Sequence, residues 1–146
     1  YAQNDVLCYR VDKPTDLAAL QQAEWQPMLD WLSRSRGIDL RVTSGINQIE
    51  QEEAMLEAIK STVSSFDNFQ LTGLHAVTIG SGSIVLGLAL ADKFIDFDKV
   101  LQLSMLEELY QIEIWGRDAE TIRRHEELRQ EIYNASRFLT LVSPAV

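Results

Sequence analysis

Residues 67–91 read DNFQLTGLHAVTIGSGSIVLGLALA, and this stretch decides the fold. Asp67 offers a side-chain acceptor of the kind that caps a helix. Behind it, Gly73, Ala76 and Gly80 share one side at helical spacing, while Leu71, Leu74, His75 and Thr78 share the other. A side of small residues lets a neighbouring backbone approach closely. Gly80-Ser81-Gly82-Ser83 then breaks the helix. Beyond the break, Ser83, Gly87 and Ala91 recur every fourth residue beside Ile84, Val85, Leu86, Leu88 and Leu90. A helix that is apolar nearly all round belongs at the centre of a bundle. As a membrane span the stretch fails, because the break leaves about ten apolar residues on one side where ~20 are needed.

Upstream, Pro14-Thr15-Asp16 opens a helix that places Leu17, Leu20, Glu24, Met28 and Trp31 at helical spacing before Gly37. Pro27 lies inside it without the amide that would bond back one turn, which predicts a kink or a split into two helices. Residues 38–43 alternate apolar and polar ahead of Ser44-Gly45, as a short extended connector does, and a lone strand makes no sheet. Asn47 and Glu50 have the spacing of a capping box, so the next helix is expected to start there and to carry Ile49, Leu56, Ile59, Val63 and Phe66. Downstream, Asp96 is placed to cap a helix continuous to Trp115, with Gly116 stopping it in the left-handed conformation. Asp118 caps a last helix whose Leu128, Ile132, Ala135 and Leu139 form a stripe. The first thirteen residues, with Leu7-Cys8-Tyr9-Arg10, suit helix or strand equally. The fold class is therefore all-α (mainly α): a compact bundle of five to seven helices in one domain, residues 1–146.

Composition narrows the function. Of 146 residues, 46% are hydrophobic and 24% charged, the balance of a folded globular chain rather than a disordered acidic tail. A formal charge of −9 argues against nucleic acid, whose binders cluster Lys and Arg against phosphates. The single cysteine, Cys8, forms no internal disulfide, which fits a reducing compartment. The chain opens at Tyr1 without a basic start or an apolar signal core, as a trimmed chain would.

Recognition motifs for cofactors fail one by one. A dinucleotide fingerprint needs glycine where Val85 stands, and a P-loop needs Lys followed by Ser or Thr after its last glycine. A helical di-iron site needs Glu three residues before each His, but Thr72 precedes His75 and Ile122 precedes His125. No metal and no cofactor are expected. His75, on the apolar side of its helix, reads as a core or edge histidine bonded to a carbonyl or carboxylate. Glu50-Gln51-Glu52-Glu53 and Arg123-Arg124-His125-Glu126-Glu127 read as solvated helix faces.

Glu107 resists such a bland reading. On a continuous helix, Val100, Leu103, Leu106, Tyr110 and Ile114 gather within an arc of roughly 120°, and Glu107 falls inside it. The carboxylate is then either buried with a partner or exposed in an apolar patch. Glu24 sits similarly between Leu20 and Met28.

The stretch Leu106-Glu107-Glu108-Leu109-Tyr110-Gln111-Ile112-Glu113-Ile114-Trp115-Gly116 resembles the Leu-Glu-Glu, Tyr-Gln, Trp-Gly signature of the assembly factors that chaperone the alpha subunit of the F-type ATP synthase head. Asp5-Val6-Leu7-Cys8-Tyr9-Arg10, Trp25-Gln26-Pro27-Met28-Leu29-Asp30-Trp31 and Leu71-Thr72-Gly73-Leu74-His75-Ala76, with Gly82-Ser83 and Leu88-Ala89-Leu90-Ala91, agree with it. The resemblance implies the helical C-terminal domain of that family, without the small β-rich domain that precedes it there. It implies a chaperone that binds unassembled alpha until beta takes its place, with no catalysis and no cofactor, as a monomer in an alphaproteobacterial cytoplasm or a mitochondrial matrix. By the same resemblance, Glu107, with Glu108, Gln111 and Trp115, is the candidate client-binding set. The alternative is a helical small-ligand or enzyme domain using Glu107 as a perturbed acid or base. A third reading gives Glu107 only a helix-packing role.

Overall fold

A computed structural model describes residues 2–116 and 118–142, apart from the side chains of Trp115 and Val142. Among these residues there are seven α-helices: α1 (Thr15–Arg36), α2 (Glu53–Ser64), α3 (Asn68–Ser81), α4 (Ile84–Ala91), α5 (Phe97–Ser104), α6 (Leu106–Trp115) and α7 (Ala119–Val142). A 3-10 turn, Val6–Cys8, precedes the strand β1 (Tyr9–Arg10), which pairs in parallel with β2 (Thr43–Ser44). The connector therefore does find a partner strand, in the N-terminal stretch whose conformation the sequence left open.

The central helix is α4. Every residue from Ile84 to Leu90 is buried, as an all-round apolar pattern requires. Ser83 caps it by accepting from the Leu86 amide at 3.1 Å. Gly82 ends α3 at φ +75°, in the left-handed region that glycine occupies without steric cost. Asp67 and Gln70 form the capping box of α3. The small side of α3 lies against α7, where a Cβ on Gly73 would come within 2.7 Å of the Leu139 side chain. Leu139, Ala135 and Ile132 are buried there, and Leu128 is half-buried.

Helix α1 buries Leu17, Gln21, Trp25, Met28, Leu29, Trp31 and Leu32, and Gly37 (φ +65°) closes it. Pro27 does not split it. Both Pro27 and Ala23, whose carbonyl the missing amide would have bonded, are exposed, so water can take that carbonyl.

Four further expectations are corrected. Helix α2 starts at Glu53, not at the Asn47–Glu50 pair. Gln51 holds the segment extended: its side chain accepts from the Arg41 amide at 2.8 Å and donates to the Arg41 carbonyl at 3.0 Å. The run from Glu50 to Glu53 is thus mostly loop, with Gln51 buried. Gly116 stops α6 at the positive φ expected of it, +86°, but its ψ of 172° lies outside the left-handed helical region. Of the core-or-edge reading of His75 only the edge survives, since the residue is exposed. Finally, the helix capped by Asp96 is broken at Met105, with a direct effect on Glu107.

Among the described residues, no helix is long and apolar enough to cross a membrane.

Candidate functional site

The indole of Trp25, buried in α1, donates to the Leu103 carbonyl at 2.9 Å. In an unbroken helix that carbonyl would accept from the amide four residues on, that of Glu107. With the carbonyl taken, α5 ends, Met105 (φ −105°, ψ 19°) bridges, and α6 starts at Leu106. Glu107 and Glu108 therefore stand in the first turn of α6, near the positive end of its dipole, instead of mid-helix. The single apolar arc dissolves: Val100, Leu103 and Leu106 are buried, Tyr110 is half-buried, and Ile114 is 52% exposed.

Glu107 is half-buried and has a neutral partner rather than an ion pair. Its Oε1 accepts from Gln21 Nε2 at 2.8 Å. Gln21 is fully buried, and its Oε1 accepts from the Val11 amide at 2.9 Å. Burial, and then the neighbouring Glu108 charge, hold the Glu107 carboxyl above its ordinary range, while the Gln21 hydrogen bond pulls the other way.

The rest of the signature is tied to three elements. Glu108 accepts from Arg124 of α7 at 2.8 Å. The Tyr110 hydroxyl donates to Asp16 at 2.6 Å, and chiefly that bond pushes the phenol up to about 12. Gln111 is exposed, as are Glu113 and Ile114, and Ile122 of α7 is 43% exposed. A cavity of about 150 Å³ between the two helices is lined by Leu109, Ile112, Ile122, His125 and Glu126. Trp115 closes α6, but its side chain lies outside the described residues. Thus Glu107, Glu108 and Gln111 share one short helix, and each points its chemistry differently: inward to an amide, across to an arginine, and out to solvent. Glu24, the other acidic residue in an apolar stripe, pairs with Lys99 at 3.1 Å.

Some polar residues with structural work were not singled out from sequence. Asp5 is fully buried, accepting from the Leu7 amide at 3.0 Å, the Ser83 hydroxyl at 2.9 Å and the Val85 amide at 3.0 Å. It joins the N-terminal turn to the start of α4. Arg10 donates to Gln22 at 2.7 Å and Gln26 at 2.9 Å, joining β1 to α1. An isolated Asp, Arg or Gln gives no periodic signal, so nothing local marked these or Gln21.

A separate apolar groove of about 570 Å³ runs past Ile59, Val63, Leu71, Leu74 and Ile84, with His75 among its lining residues. Glu107, Glu108 and Gln111 are not among its lining residues. Among the described residues, no group of three or more His, Cys, Asp or Glu is placed to hold a metal ion.

No protein-family model matches the chain. Solved structures do. Atp12 from Paracoccus denitrificans superposes with a TM-score of 0.92 at 34% identity, over 95% of this chain and 60% of that one. A mutant of the same Paracoccus protein gives 0.95 at 34% identity, over 98% and 61%. The Atu1473 protein of Agrobacterium tumefaciens, a proposed chaperone, gives 0.86 at 30% identity, over 94% and 52%. The chain spans about three fifths of the length of the Paracoccus protein.

Proposed function

The chain belongs to the Atp12 family, and from that membership we propose that it is an assembly chaperone of the F-type ATP synthase. It binds the unassembled alpha subunit of the catalytic head and keeps it from aggregating until beta takes its place. The observation that carries this is a match over 95% of the chain at 34% identity, far more than a shared helical fold would give. The client surface is built on α6, with Glu107, Glu108, Gln111 and Trp115 as its contact residues. Exposed Ile114 and Ile122 among acidic side chains supply the mixed apolar and charged character that such holding needs.

The activity is binding rather than catalysis. The polar groups of α6 diverge to Gln21, Arg124 and Asp16 instead of converging on a concave site, which supports a contact surface over an acid–base centre. The chain works as one helical domain, the C-terminal domain of its family, and as a monomer. The bacterial sources of its relatives support the bacterial cytoplasm as its compartment.

The test is a pull-down with separately expressed alpha and beta. Selective capture of alpha, released when beta is added, is the expected result. Equal capture of both, or capture of neither by a full-length protein, would sink the proposal.

A further inference from the structure

The Gln21 side chain has an orientation that its neighbours leave no freedom to reverse. The Val11 amide can only donate, so the Gln21 oxygen must face it, and Nε2 must then face Glu107. In that contact the Glu107 carboxylate can only accept. One carboxylate oxygen is thereby anchored, while Oε2 engages no described residue. Beside it, the Glu108 charge is already met by Arg124 and the Tyr110 hydroxyl is spent on Asp16, whereas the partner of Glu107 is a neutral amide. On this face, then, Glu107 keeps an unspent acceptor on a half-buried carboxylate, where a charged donor gains more than it would in open water.

We propose that Gln21 is the positioning residue of the client surface, holding the Glu107 carboxylate so that its second oxygen receives a lysine or arginine of the partner. This rests on the reading of α6 as the surface that binds alpha. A basic donor is the complement to a carboxylate flanked by Glu108 on a chain of formal charge −9. Gln21 itself touches no client, since it is fully buried.

The test compares wild type, Gln21→Glu, Glu107→Gln and the double exchange Gln21→Glu with Glu107→Gln, each in urea unfolding and in capture of purified alpha. Gln21→Glu keeps the acceptor for Val11 but sets two carboxylates face to face. Capture should fall at least about tenfold although Glu107 is intact. The double exchange keeps the bond from the Val11 amide and restores the bond between positions 21 and 107 with its donor and acceptor reversed. Its urea midpoint should return toward wild type while capture stays low, because the ionised group no longer faces the partner. Capture that recovers along with the midpoint would show a merely structural pair and overturn the proposal, as would undiminished capture by Gln21→Glu. The Glu107 carboxyl carbon, followed by NMR without client, should shift and titrate at higher pH in Gln21→Glu. Failure of wild type to capture alpha would overturn the client reading and this use of Gln21 together. Capture by wild type with an unmoved Glu107 resonance in Gln21→Glu would overturn the positioning alone.

Discussion

Trp25 Nε1 donates to the carbonyl oxygen of Leu103 at 2.9 Å, and that bond divides what would be one long helix into α5 and α6. Trp25→Phe keeps most of the packing and removes the donor. A buried carbonyl left unpaired costs about 1–3 kcal/mol, to be read from urea unfolding. A loss below about 0.5 kcal/mol would mean that the Glu107 amide takes over and the two helices straighten into one.

Glu107→Gln should fold almost normally, with a stability change near 0.5 kcal/mol, because the substituted side chain still offers an oxygen to Gln21. Glu107→Lys should fold as well, with its long side chain turned to solvent from a half-buried site. Both should fail to protect alpha from aggregation. Light scattering of alpha beside the urea midpoint of each variant decides this, and normal protection by a stable Glu107→Lys protein would return Glu107 to a packing role.

Asp5 makes stability depend on pH in an unusual direction. Burial outweighs the three hydrogen bonds it accepts and lifts its carboxyl from 3.8 to about 6. Between those values the folded chain binds the proton more tightly than the unfolded chain does. Asp5 therefore contributes stability that is complete below about pH 4 and lost as the pH rises through 6, on the order of 3 kcal/mol. The urea midpoint of wild type, measured relative to Asp5→Asn, should decline across that window. A difference that is flat or grows with pH would show that the amides and the start of α4 hold Asp5 ionised after all.

Cys8 should be inert in the folded chain. It is fully buried, and burial followed by the Asp5 charge pushes its thiol up to about 12. At pH 8 a thiol-specific reagent should label it on the order of a thousandfold more slowly than in denaturant. Rapid labelling of native protein would mean that the N-terminal turn opens readily.

Much of the bundle was legible because helix signals are local. Asp67, Asp96 and Asp118 mark helix starts, Gly37 and Gly82 mark ends, and the all-apolar run of α4 could only be central. Gly73 and Gly80 also signalled that a neighbour packs closely on that side of α3, but only the structure shows that the neighbour is α7. The N-cap of α2 was misplaced, because the capping spacing of Asn47 and Glu50 says nothing about Gln51 reaching Arg41.

The sequence by itself determined that this chain is a helical bundle, and it singled out Glu107 as a carboxylate in the wrong company. Only the tertiary structure decided what Glu107 does there. Periodicity assumes an unbroken helix, and the break at Met105 comes from Trp25, a residue of another helix that competes for a backbone carbonyl. Likewise, whether Glu107 meets a cation, an amide or solvent depends on Gln21, 86 positions away in the chain and carrying no pattern of its own. Caps and stripes are written in neighbours along the chain. The partner of a single buried polar group is settled only when distant segments pack, because its desolvation must be matched by whichever donor that packing brings within reach.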